Sequence, residues 1–160
     1  MADDARHETI VVTRDLELPP PTIFAGFADD AVRRRWFRLP GSDASYEAEF
    51  RVAGGESARS TFRHLDGRTE ELEYRSRYID LTTDRRIVYA YESIVDGLVR
   101  WASLVTVELA ENAGGGTRLN WTEQVAFLKA SGDGSADLPH LRGAIALRLN
   151  GLAAALASAA

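Results

Sequence analysis

Apolar positions recur along the chain with two periods, and the change from one to the other organises the fold. Near the C-terminus Leu138, Leu141, Ile145, Leu149, Leu152 and Leu156 follow one another at steps of three or four. That spacing puts them on one stripe of a helix over residues 138–156, with Asp137 placed to cap it. The residues beside the stripe are mostly small, among them Gly143, Ala144, Ala146, Gly151 and Ala153. A long ridge with so little bulk beside it needs a broad, curved partner.

The middle of the chain supplies one. From residue 45 to residue 123 the period is two, the mark of half-buried strands. Tyr46, Ala48, Phe50 and Val52 alternate with Glu47, Glu49 and Arg51; Ala58, Ser60 and Phe62 follow Gly54-Gly55; then come Leu72, Tyr74, Ser76 and Tyr78. Ile87, Tyr89 and Tyr91, the run from Trp101 to Leu109, and Leu119, Trp121 and Glu123 complete the set. Asp66-Gly67 and Asp96-Gly97 are hairpin signals, and residues 112–116 read as a loose glycine-rich loop. Before this block, Ile10, Val12, Leu16 and Leu18 share one parity of a first strand over residues 8–18. Pro19, Pro20 and Pro21 end that strand and open a short helix carrying Ile23, Phe24 and Phe27. A second short helix starts at Asp29 or Asp30 and closes on Trp36 and Phe37. Its run Arg33, Arg34 and Arg35 reads as a solvated helix end, where positive charge suits the dipole.

Adjacent strands in meander order followed by one long helix define an α+β fold. A meander of this length must twist and curl, so the expected architecture is a curved antiparallel sheet wrapped around the C-terminal helix, with two short helices after the first strand. The length of 160 residues fits a single domain over 1–160, with its core at about 8–157.

Composition narrows the chemistry. Cysteine is absent, which excludes disulfides, thiolate metal sites and cysteine nucleophiles. The net charge of −5 argues against nucleic acid as a partner. No run of about 18 apolar residues predicts a membrane span, and Met1 to Glu8 lacks the pattern of a secretory leader, so a cytoplasmic protein is expected. His7, His64 and His140 are scattered without ligand spacing, so no metal is expected. Gly55-Glu56-Ser57-Ala58-Arg59 lacks the last glycine of a nucleophile elbow, and Gly114–Gly116 lacks the lysine of a phosphate loop. No cofactor is implied.

The ring-bearing positions are more informative. Phe50, Phe62, Tyr74, Tyr78, Tyr89, Tyr91, Trp101 and Trp121 share the parity that should face the C-terminal helix. Together with Trp36, Phe37, Leu141, Ile145 and Leu149 they form the candidate ligand-binding set: apolar walls carrying a few hydrogen-bonding tips. Glu123 falls on the same face and is the weak candidate for a general acid or base. Arg14, on the apolar parity of the first strand, is its candidate partner, or else it snorkels to water.

Several stretches resemble a known family. Val12-Thr13-Arg14, the proline-led helix with Ile23-Phe24, and Trp36-Phe37 resemble the opening of the START-related SRPBCC superfamily. Phe50-Arg51-Val52-Ala53-Gly54-Gly55, Arg86-Ile87-Val88-Tyr89, Val105-Thr106-Val107-Glu108-Leu109 and Gly115-Gly116-Thr117-Arg118-Leu119 are similar to stretches of the activator of Hsp90 ATPase homologue-like family within it. Where that family usually has two tryptophans before glycine-proline, this chain has Trp36-Phe37-Arg38-Leu39-Pro40. The resemblance implies a helix-grip fold with an internal hydrophobic cavity and no fixed catalytic set. Three functions stay open on that basis. The first is binding of a small apolar or aromatic molecule in the cavity, more in keeping with a non-enzyme. The second is a polyketide cyclase- or aromatase-like reaction there. The third is a chaperone-activating interaction, against which the charged outward positions Glu47, Glu49, Arg51, Glu71, Glu73, Arg75 and Arg77 argue on that face. A homodimer is a further open partner.

Overall fold

The structure, a computed structural model, describes residues 4–159; the first three residues of the Met1–Glu8 stretch and residue 160 lie outside it. The elements run β1 (Arg6–Leu16), α1 (Pro20–Ala28), α2 (Asp30–Trp36), β2 (Ser42–Ala48), β3 (Glu56–Arg63), β4 (Thr69–Thr82), β5 (Arg86–Val95), β6 (Leu98–Glu111), β7 (Thr117–Phe127) and α3 (Asp137–Ala159). The strands form one antiparallel sheet in the order β1-β7-β6-β5-β4-β3-β2. Curvature has local causes: register shifts leave an extra residue at Ile79 on β4 and at Arg100 on β6, opposite Ser93/Ile94 of β5, and each bends the strand that carries it. The β5–β6 turn holds Asp96 and Gly97 at φ 50° and 79°, the left-handed pair that a two-residue hairpin demands.

The core lies between the concave face of the sheet and α3, and α1 and α2 close one end. The α3 stripe is buried from Leu141 through Ile145, Leu149 and Leu152 to Leu156, with Leu138 half-buried. Trp36 braces the short helices, donating its indole N–H to the Gly26 carbonyl at 2.9 Å and meeting the Phe27 ring edge-on. Asp29 caps α2 through the Val32 amide. Asp137 does not cap α3: it is the helix's first residue, and its carboxylate accepts the Ser131 amide, tying the preceding loop.

The expected strand from Tyr46 to Val52 ends early, at Ala48. Residues 49–55 instead fold back onto β4, with Ala53 N–H donating to the Tyr78 carbonyl and Tyr78 N–H donating to the Gly54 carbonyl, both at 2.9 Å. Phe50 still turns inward, whereas Val52 is exposed. The chain can approach this closely because a Cβ on Gly55 would stand 1.8 Å from the Ser76 carbonyl oxygen. Gly55→Ala is therefore expected to push the loop off β4 and cost roughly 1–3 kcal/mol, read as a lower urea midpoint at unchanged m-value. A midpoint equal to that of the parent would mean the loop is not seated there.

Candidate functional site

The rings that the alternation turns inward meet one another. Tyr74 stacks on Tyr91, with centroids 5.0 Å apart and planes 26° apart, and Phe37 tilts onto Tyr74 at 4.7 Å. Phe50 stands edge-on to Tyr78 at 4.9 Å and to Phe24 at 5.6 Å, and Tyr89 is edge-on to Trp121. This aromatic cluster occupies the middle of the space where a continuous gap was expected. Ile145 and Leu149 join the core beside it, Trp36 belongs to the α1–α2 brace, and Phe62 lies half-buried against the His64 ring.

Two polar networks thread the cluster. The first centres on Glu123, which is 0% exposed. One carboxylate oxygen accepts from the Tyr91 hydroxyl at 2.5 Å and the Ser103 hydroxyl at 2.7 Å; the other accepts from the Trp121 indole at 3.2 Å. Trp101 extends the chain, its indole N–H donating to the Tyr91 oxygen at 3.0 Å. The strand register explains the convergence, since Tyr91 is opposite Ser103 and Ser103 is opposite Val125, two residues from Glu123 on the same face. Arg14 does not reach this centre. The residue opposite Glu123 on β1 is Ile10, and four residues of strand separate Ile10 from Arg14, about 13 Å. Arg14 is half-buried and donates to the adjacent Thr13 carbonyl.

The second network was missed in the sequence. Arg33, the first of the three consecutive arginines, is 4% exposed and forms a two-pronged pair with Glu56, itself 3% exposed: Nε to one oxygen at 2.8 Å and a terminal nitrogen to the other at 2.9 Å. The guanidinium lies over Trp36 at 4.2 Å and Phe37 at 4.3 Å. The Tyr46 hydroxyl donates to Glu56 as well, and the Glu56 amide donates to the Ser76 hydroxyl. Burial alone would raise the Glu56 carboxyl, but the Arg33 charge and hydrogen bonds, helped by Tyr46, hold it below the ordinary value. Burial pushes the hydroxyls of Tyr74, Tyr89 and Tyr91 upward, and for Tyr91 the Glu123 charge adds to it. These phenols therefore remain donors at physiological pH.

Open space adjoins the cluster at its ends. Where α3 begins, a pocket of about 280 Å³ is walled by Leu72, Val95, Trp101, Phe127 and Leu141, with His140 and Arg100 among its polar lining. A second, of about 340 Å³, lies by Phe37, Leu39 and Tyr46 at the α2–β2 end. A further hollow, about 790 Å³, is on the opposite face of the sheet.

With this geometry in place, comparison with known proteins is decisive at the level of family. Residues 17–156 match the family model described as Activator of Hsp90 ATPase homolog 1-like protein. The chain belongs to this family. The matched stretch starts just after β1 and takes in both polar networks and nearly all of α3. Two solved structures are similar over almost the whole length. An uncharacterized protein from Rhizobium leguminosarum is 32% identical, with 97% of each chain covered and a TM-score of 0.80. The Mll3558 protein from Rhizobium loti is 36% identical, with 95% of this chain and 99% of that one covered and a TM-score of 0.76. SA2116 from Staphylococcus aureus, at 12% identity and a TM-score of 0.74, shares the fold. No curated protein matches the chain. The curved sheet gripping α3 is the helix-grip architecture of the SRPBCC superfamily, a ligand-binding type of scaffold, and no helix among the described residues is long and apolar enough to cross a membrane.

Proposed function

We propose that this Hsp90-activator-like domain binds a small apolar or aromatic molecule in the pocket at the N-terminal end of α3. The observation that supports this most directly is the double position of Trp101. Its ring lines the pocket, while its indole N–H is committed to Tyr91 and through it to Glu123. A guest would thus meet a ring already fixed in orientation, which lowers the ordering cost of binding. At about 280 Å³ the pocket falls just below the roughly 300–1,000 Å³ typical of ligand sites, which suits a guest of one or two rings. Binding is favoured over turnover because both Glu123 oxygens are engaged by protein donors and the carboxylate has no exposed surface.

Titration with 1-naphthol and with indole, followed by intrinsic tryptophan emission, tests the reading. Saturable quenching is expected in the parent protein. In Trp101→Phe the affinity should fall about tenfold, equivalent to ~1.4 kcal/mol, with most of the quenching lost although Trp36 and Trp121 remain. An unchanged titration in the variant, or no saturable response in the parent, rejects the pocket as the binding site.

A further inference from the structure

The outward positions of β4 carry charge, whereas at the middle of the three strands beside it Ala90, Ala102, Leu104, Gln124 and Ala126 are uncharged. Cross-strand partners share a face of a sheet, and one row across the outer face reads Arg77, Ala90, Leu104, Gln124. The next row reads Arg75, Glu92, Ala102, Ala126, with the two charges paired to each other at its β4 end. Outward positions of an antiparallel sheet with a solvated face are ordinarily polar. Here small apolar residues meet on three adjacent strands and leave a hollow of about 790 Å³, with Leu104 37% exposed on its floor. Its polar bank is not neutralised. Arg75 pairs with Glu92 at 3.2 Å, whereas Arg77 makes no ion pair or side-chain hydrogen bond among the described residues.

We propose that this trough is a second binding site, for an amphipathic carboxylate whose apolar body lies across β5, β6 and β7 and whose anionic head is held by Arg77. Complementary charge supplies the argument for the head: one unpaired guanidinium stands at one end of an apolar floor, and the uncharged Gln124 stands at the other. From β4 to β7 is three interstrand steps, about 14 Å, the length of an extended molecule rather than of an ion. The volume lies within the range of small-molecule sites. A second copy of the chain presents the same concave surface, and two hollows do not fill each other. A bound peptide strand would need a free sheet edge, and this floor is made of strands paired on both sides. The site is separate from the α3 pocket, so the two readings stand or fall independently.

Decanoate and decanol, titrated into the ¹⁵N-labelled protein, test the proposal. Saturable shifts from decanoate at the amides of Ala90, Ala102 and Ala126 are expected. Arg77→Gln should weaken decanoate at least tenfold and leave decanol unchanged. Ala102→Phe, which fills the floor, should remove both. The proposal is overturned if decanoate shifts only Leu72, Phe127 and Leu141 at the other pocket, or shifts nothing. Equal decanoate affinity in the parent and Arg77→Gln overturns it too, as do trough shifts that track protein concentration without ligand. Since Arg77 is exposed and unpaired, its variant keeps the test open even if Ala102→Phe fails to fold.

Discussion

Glu56→Gln is expected to cost the fold about 3–5 kcal/mol, the usual penalty for leaving a buried charge without its partner. Arg33 cannot escape by losing its proton, because a guanidinium stays charged at any pH the protein meets. It is enclosed by Trp36, Phe37 and Glu56, so the amide would leave it with one oxygen, no opposing charge and little water. Guanidinium unfolding measures the loss; a change under 1 kcal/mol would mean that solvent reaches Arg33 after all. Replacing both partners together, as Arg33→Met with Glu56→Leu, should restore most of the stability, since apolar substitutes for buried pairs are often neutral. The pair also sets an acid limit. The Glu56 carboxyl is held low in the folded state, so its contribution is complete above the ordinary value near pH 4.3 and is lost as pH falls through the depressed folded value. Stability measured in urea from pH 7 to pH 3 should hold and then drop, with a shallower drop in Glu56→Gln.

Glu123→Leu is expected to be nearly as damaging, for the opposite reason. The carboxylate is the shared acceptor of Tyr91, Ser103 and Trp121. Leucine would strand three buried donors, each worth about 1–3 kcal/mol when orphaned, and a total on the order of 4 kcal/mol is expected because such losses do not add fully. Glu123→Gln, which keeps an acceptor oxygen, should cost less. Trp101 ties this to function: with Tyr91 no longer held in Glu123→Leu, its indole loses its fixed orientation, and 1-naphthol should bind more weakly to that variant than to Glu123→Gln. A Glu123→Leu protein within 1 kcal/mol of the parent would show that the aromatic packing alone holds the interior.

The parts of the fold legible in the sequence are those where a period repeats. The six-residue stripe of α3 and the alternating middle strands declare their buried faces directly. Strand ends were not legible: β4 runs from Thr69 to Thr82 and β6 from Leu98 to Glu111, well past the residues whose alternation marks them. Phe50 and Val52 kept the alternation going in the sequence while Gly55 allowed the chain to fold back instead. Arg33 was hidden by its neighbours, since three consecutive arginines look like a solvated end. The available signal was Trp36 and Phe37 three and four residues later, which put Arg33 on the helix's aromatic face. The outer trough left no local signature, because Ala90, Ala102 and Ala126 sit on three strands and become neighbours only through pairing.

An open sheet has two margins at which a foreign strand could attach, and this molecule deals with them differently. Along β1 the helix α3 packs close by. At β2 the margin is short, its pairing slips between Ser42 and Ser45, and Asp43 adopts a left-handed φ of 53°. Such irregular, charge-bearing rims discourage fibril-like stacking of one molecule on the next, so a face as apolar as the outer trough can stay open to solvent without inviting runaway assembly from the sides.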